Sequence, residues 1–162
     1  MLGLSLSAFT TLHVIVSLIG IAAGIALLPG ILKGERPGWL THLFLGTTAL
    51  TSITGFMFPF TTLLPSHVVG LLSLAVLVVA VSALYGFRLS GPWRWIYAAG
   101  AMAALYFNVF VGVAQSFQKL GPLHALAPTQ SEPPFLVAQL VVLGIFLVLG
   151  TLAVRRFHPA PA

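Results

Sequence analysis

The chain carries few side chains able to do acid–base, metal or redox chemistry: five histidines, two carboxylates and no cysteine in 162 residues. Without thiols there is no disulfide, thiolate metal centre, iron–sulfur cluster or haem attached through a C-x-x-C-H motif, so any metal or haem depends on imidazole. Counted from the cation that anchors the other end of each segment, His13 lies 20 residues before Lys33, His67 lies 21 before Arg88, and Gln115 lies 21 after Arg94. On helices that rise 1.5 Å per residue, each is about 30 Å from its cation. Three polar side chains on three segments therefore share one level.

Spacing along each segment says which of them share a face. His13, Ser17, Gly20 and Gly24 repeat at four, three and four residues and form one helical stripe, and Gly20 with Gly24 makes a G-x-x-x-G pair that admits a close neighbour. Gly100, Ala104, Asn108, Gly112, Gln115 and Lys119 form a second stripe, small in its first half and polar in its second. An amide such as Asn108 in hydrocarbon requires a partner, so this stripe faces a bundle interior or a wet cavity. His67 and Gly70 begin a third such face. The connection "QKLGPLHALAPTQSEPPF" adds Gln118, His124 and Glu132 at the same level.

Each feature has an ordinary structural explanation. A histidine at a membrane interface can bond headgroups or a neighbouring carbonyl. Asn108 and Gln115 can bond between helices, at about 0.6 kcal/mol on average. The hydroxyls of "GTTALTSITG" can bond to carbonyls of their own helix. The sharper expectation is a cofactor site of His13, His67, Asn108, Gln115 and Lys119. Haem b held without covalent attachment needs imidazoles from facing helices at one depth, an apolar slot and cations at the propionates. Phe56, Phe58, Phe107 and Phe110 would supply the slot, and Lys119 stands at the propionate level. The pairing resembles, in reduced form, the di-haem membrane cytochromes of the b type, which carry paired histidines near both faces. The sequence departs from that pattern at the other face, where His42 has no transmembrane partner, so no second haem is expected. A quinone headgroup would need only one histidine and one amide.

A rival uses His13, His67, His124 and Glu132 as a zinc or copper site. No H-x-x-x-H or H-x-x-E-H spacing occurs, so every ligand would come from a different segment. Small-solute transport would have to proceed without an intramembrane carboxylate, since Glu35 and Glu132 both fall in connections. A non-enzymatic accessory or scaffold protein is the remaining reading. No catalytic residue is assigned.

The elements that position these residues follow from composition. The chain is 59% hydrophobic and 6% charged, against about a quarter charged for a soluble domain. Five apolar stretches are predicted to cross the roughly 30 Å hydrocarbon layer: 8–28, 40–60, 67–87, 93–117 and 135–154. The fold class is an all-α integral membrane protein, one domain over 1–162. Pro29-Gly30, Pro37-Gly38, Pro65, Gly91-Pro92, Gly121-Pro122 and Pro133-Pro134 punctuate the ends. The first stretch lacks a basic leader and exceeds a signal-peptide core, so it is read as a retained span.

The net charge of +5 sits at span ends rather than in a patch, which argues against nucleic acid as a partner. Lys33, Arg36, Arg88, Arg94, Arg155 and Arg156 all fall on one side of a five-span bundle, leaving only Lys119 opposite. The positive-inside rule puts the N-terminus outside and the C-terminus in the cytoplasm, in the cytoplasmic membrane of a bacterium. Trp39, Trp93 and Trp95 stand beside those anchors. The expected partners are the lipid bilayer and a homodimer or larger membrane complex.

Overall fold

The structure, a computed structural model, describes residues 3–59 and 65–159. They form helices α1 (Leu6–Lys33), α2 (Trp39–Gly55), α3 (Pro65–Val81), α4 (Trp93–Lys119), α5 (Gly121–Leu126) and α6 (Pro133–Arg156), with no strand among the described residues. Four helical stretches are long and apolar enough to cross a membrane: Leu6–Lys33, Ser66–Gly86, Trp93–Lys119 and Pro133–Arg156.

Helix α1 begins where the Ser5 hydroxyl accepts the Ala8 N–H at 3.2 Å. It runs through Pro29, beyond the expected end at Leu28, and stops at Gly34, which takes a left-handed φ of 71° and donates its N–H to the Gly30 and Ile31 carbonyls. Proline removes one backbone bond but leaves the following turn intact. A helix meant for lipid keeps that turn rather than leave several groups unbonded.

The largest departure from expectation is α2. Its 17 residues end at Gly55, about 25 Å from the start, instead of continuing toward Phe60, which lies outside the described residues. Phe56 and Phe58 keep the stretch apolar, yet they fold inward against imidazoles. Helix α3 passes into a π-helical turn over Ser82–Gly86. The tight connection after it takes left-handed backbone at Arg88 and Leu89, and is pinned by Phe87 stacked on Trp93 with ring centroids 3.7 Å apart. The short α5 within the connection from α4 to α6 was not anticipated.

Helix α4 is the central post. Its small residues Ala98, Ala101 and Ala104 and its large ones Tyr97 and Leu105 are fully buried, and it packs against α3 and α6 and, less extensively, α1. Close approach depends on glycine. A Cβ on Gly24 would lie 2.5 Å from Leu105 Cδ1 and 2.9 Å from the Phe44 ring, and one on Gly100 would lie 3.1 Å from Ala80 Cβ. By contrast α6 leaves Leu136, Leu140, Leu147 and Val148 more than half exposed, a surface suited to lipid rather than water. At the end where α1 and α6 finish, Phe157 is buried against Tyr97 at 5.3 Å, and Gly34 lies close against the Arg156 carbonyl and His158 N–H.

Candidate functional site

A cavity of about 600 Å³ occupies the opposite end of the bundle, enclosed by α1, α2 with the residues after it, α3 and α4. Its lining is mainly apolar, with a few polar groups converging from different helices. That is the general character of a small-molecule site.

Helix α1 contributes His13. Its Nδ1 lies 2.8 Å from Thr54 Oγ1, and the Phe58 ring meets the imidazole edge-on at 5.2 Å. The Thr54 hydroxyl has one proton, which it donates to the Leu50 carbonyl at 2.7 Å. With that proton directed to Leu50, Thr54 accepts from His13 Nδ1–H, and in this tautomer of the neutral imidazole the lone pair rests on Nε2. Ser17, one turn on, donates to the His13 carbonyl at 2.7 Å.

Helix α3 contributes His67, which is buried and tilted against Phe56 at 5.7 Å. Six residues further along α3, Ser73 receives a hydrogen bond from Ser52 at 3.2 Å, which ties α3 to α2. Helix α4 contributes Asn108, whose amide donates to Thr48 Oγ1 at 2.8 Å, and beyond it Gln115 and Lys119. A recurring device is visible: α2 presents Thr48 to α4, Ser52 to α3 and Thr54 to α1, so its interior face is a row of hydroxyls that fixes the other helices. Such bonds are affordable in a bundle interior because the donors have no water to turn to.

The five residues expected from the sequence, His13, His67, Asn108, Gln115 and Lys119, all line this one cavity. Of the four expected phenylalanines, Phe56, Phe58 and Phe107 line it. Phe110 does not; its carbonyl accepts from Gln139 and its ring packs beside Tyr106.

Neither His124 nor Glu132 is among the lining residues, and among the described residues no group of three or more His, Asp or Glu side chains is placed to hold a metal ion. Glu132 is occupied locally: its carboxylate accepts from Thr129 N–H and Oγ1–H and from Ser131 N–H. Burial would raise its pKa, but the Thr129 hydroxyl and these backbone donors outweigh that and hold it below the ordinary 4.5. Gln130, with a left-handed φ of 60°, inserts its amide onto the Ala114 carbonyl at 2.6 Å and accepts from Gln118 at 3.1 Å. The connection is thus clamped to α4 beside the cavity mouth. His42, at the other end, pairs with Tyr85 of the π-helical turn.

Sequence reasoning did not single out Thr54, Thr51, Ser52 or Ser73. Thr47 and Thr54 bond to their own helix as expected, to the Leu43 and Leu50 carbonyls, whereas Thr51 Oγ1 is buried without a hydrogen-bond partner among the described residues and Thr48 bonds to Asn108 of α4 instead. The hydroxyl spacing from Thr48 to Ser52, four residues, was the available signal. No family model, curated protein or solved structure matched the chain.

Proposed function

We propose that the protein binds a quinone headgroup in the cavity between α1, α2, α3 and α4, as a small electron-transfer component of the cytoplasmic membrane of a bacterium. In this reading α2 is a fifth span alongside the four longer ones. The positive-inside rule then sets the N-terminus outside, the cavity at the outer face and Lys33, Arg94 and Arg156 in the cytoplasmic interface.

The observation that carries the reading is the orientation of His13. With the Thr54 hydroxyl donating to Leu50, the proton stands on Nδ1 and Nε2 is left as an acceptor, while Asn108 and Gln115 stand on the same cavity wall as amide donors. A quinol hydroxyl can donate to that nitrogen, and a quinone oxygen can accept from an amide. Oxidation of a quinol releases two electrons and two protons; His13 accepts the first proton at Nε2, the second leaves to water at the cavity mouth beside Lys119, and both electrons pass to a redox protein in the same membrane. The mainly apolar remainder of the cavity holds the ring.

Titration of the protein in lipid nanodiscs with a ubiquinone or menaquinone analogue tests this. Saturable binding near one per chain is expected, weakened about tenfold or more by His13→Ala, the loss of one buried hydrogen-bond partner. Absence of saturable binding by either class would end the quinone reading.

One observation favours a second reading, haem b: His13 and His67 come from different helices onto one cavity. A visible spectrum of protein purified from haem-replete cells separates the two. A Soret band that shifts on dithionite reduction and vanishes in the His13→Ala, His67→Ala double variant would establish haem, whereas a colourless protein leaves quinone.

A further inference from the structure

The cavity has two kinds of exposed border. At its far end stand Pro59, Ser66, Lys119 and Leu120, the mixed set expected of a mouth at a membrane interface. On its flank stand Val14 and Leu18, branched aliphatics one turn apart on α1, each lining the cavity yet 37% and 59% exposed. They lie 19 and 15 residues from Lys33, about 28 and 22 Å along the helix, which is within hydrocarbon depth.

The seam between α1 and α4 explains why they are uncovered. The two helices meet through Gly20, whose Cβ would lie 3.6 Å from Asn108 Nδ2, and through Gly112, whose Cβ would lie 3.3 Å from Ile21 Cδ1. Past Ile21 toward the mouth, α1 offers Leu18 and Val14 while α4 offers Val111 and Gln115. The far side of α4 is taken by α6, through the Gln139 bond to the Phe110 carbonyl and Phe117 edge-on to Phe135 at 5.4 Å. Helix α6 therefore does not cover this flank.

From this we infer that the cavity opens sideways into the lipid between α1 and α4, and that its ligand is a long-tailed, membrane-dissolved molecule. The headgroup sits inward of Leu18 and the isoprenoid or acyl tail leaves past Val14. The inference deepens the quinone reading and rests on it for the identity of the headgroup. A tail passing from lipid to this seam exchanges one apolar surrounding for another. It therefore adds little contact energy and instead sets the route of entry and the local concentration of the headgroup.

The absence of cysteine makes a direct test clean, because one introduced thiol is the only reactive one. Ser73→Cys puts it on the cavity wall in a buried position, with Ser17→Cys as a second reporter should the first variant fold poorly. In nanodiscs the thiolate is allowed to displace sulfinate from either of two methanethiosulfonates, forming a mixed disulfide. One carries a dodecyl chain and dissolves in the lipid; the other carries a fixed positive charge and stays in water. The dodecyl reagent is expected to react about tenfold faster or more, given its enrichment in the bilayer. Adding Leu18→Trp should slow it about fivefold while leaving the charged reagent unchanged, since the indole fills the flank. Equal or faster reaction with the charged reagent, reaction with neither, or no effect of Leu18→Trp would overturn the lateral opening. Quinone titration of the same samples reports separately: its failure with a lipid-selective thiol leaves the portal standing and removes the quinone.

Discussion

His13 and Thr54 are joined by a 2.8 Å hydrogen bond whose direction is set by a third group, the Leu50 carbonyl, which takes the only proton Thr54 can give. This arrangement matches the imidazole tautomer protonated on Nδ1. Thr54→Val keeps the shape and removes the acceptor, so the ring can turn or exchange its proton. Ligand affinity is expected to fall about tenfold to a hundredfold, with a change in unfolding free energy of about 1 kcal/mol or less. Calorimetric ligand titration beside thermal unfolding in detergent separates the two effects, and equal loss of both would assign Thr54 a purely structural role.

The Asn108 bond to Thr48 is the clearest polar link between α4 and α2. A double-mutant cycle with Asn108→Ala and Thr48→Ala should return a coupling of about 0.6 kcal/mol and no more than about 1.7 kcal/mol, the range for hydrogen bonds inside membrane bundles. A coupling near zero would mean that each group finds another partner when the first is removed.

Glycines in the bundle should divide sharply on substitution by alanine. At Gly24 the new methyl meets Leu105 at 2.5 Å and the Phe44 ring at 2.9 Å, so Gly24→Ala is expected to destabilise by about 1–3 kcal/mol. Gly144, within α6, has nothing within 4 Å, and Gly144→Ala should stabilise by about 0.5–1 kcal/mol through helix propensity. Denaturation of each variant in matched detergent is the measurement, and a shared sign would contradict the packing described.

The connection from α4 to α6 should respond to acid. The Glu132 pKa is lowered, because hydrogen bonds from Thr129 and Ser131 outweigh its partial burial. A lowered pKa means that the ordering of this turn is complete above the ordinary value of 4.5 and is lost as pH falls through the folded value beneath it. Amide chemical shifts of Thr129 and Ser131 should therefore titrate with a midpoint below 4.5, and Glu132→Gln should abolish that titration. A midpoint at or above 4.5 would contradict the hydrogen bonding.

Much of this architecture is legible in the residues themselves. Apolar length locates the long helices, and counting from Lys33, Arg88 and Arg94 brings His13, His67 and Gln115 to one level, where they line one cavity. Two things resist that reading. Hydropathy cannot distinguish a helix that continues from an apolar turn that folds back, so Phe56 and Phe58 resemble more of α2 although their rings lie against His67 and His13. Nor does residue type reveal which threonine turns toward a neighbouring helix: Thr47 bonds to its own helix, Thr48 to Asn108, and Thr54 to both its own helix and His13. His124, expected on the same side of the bundle, belongs to α5 and does not line the cavity, so a shared side alone does not bring a side chain to it.

The closure at Gly34 bears on the order in which the bundle can be completed. Its left-handed turn lies against the backbone of Arg156 and His158, and Phe157 fills the space beside Tyr97. These residues are synthesised after every helix they seal. Until they emerge, Tyr97 at the base of α4 lacks its Phe157 cover, so this end of the bundle closes only after α6 has been made.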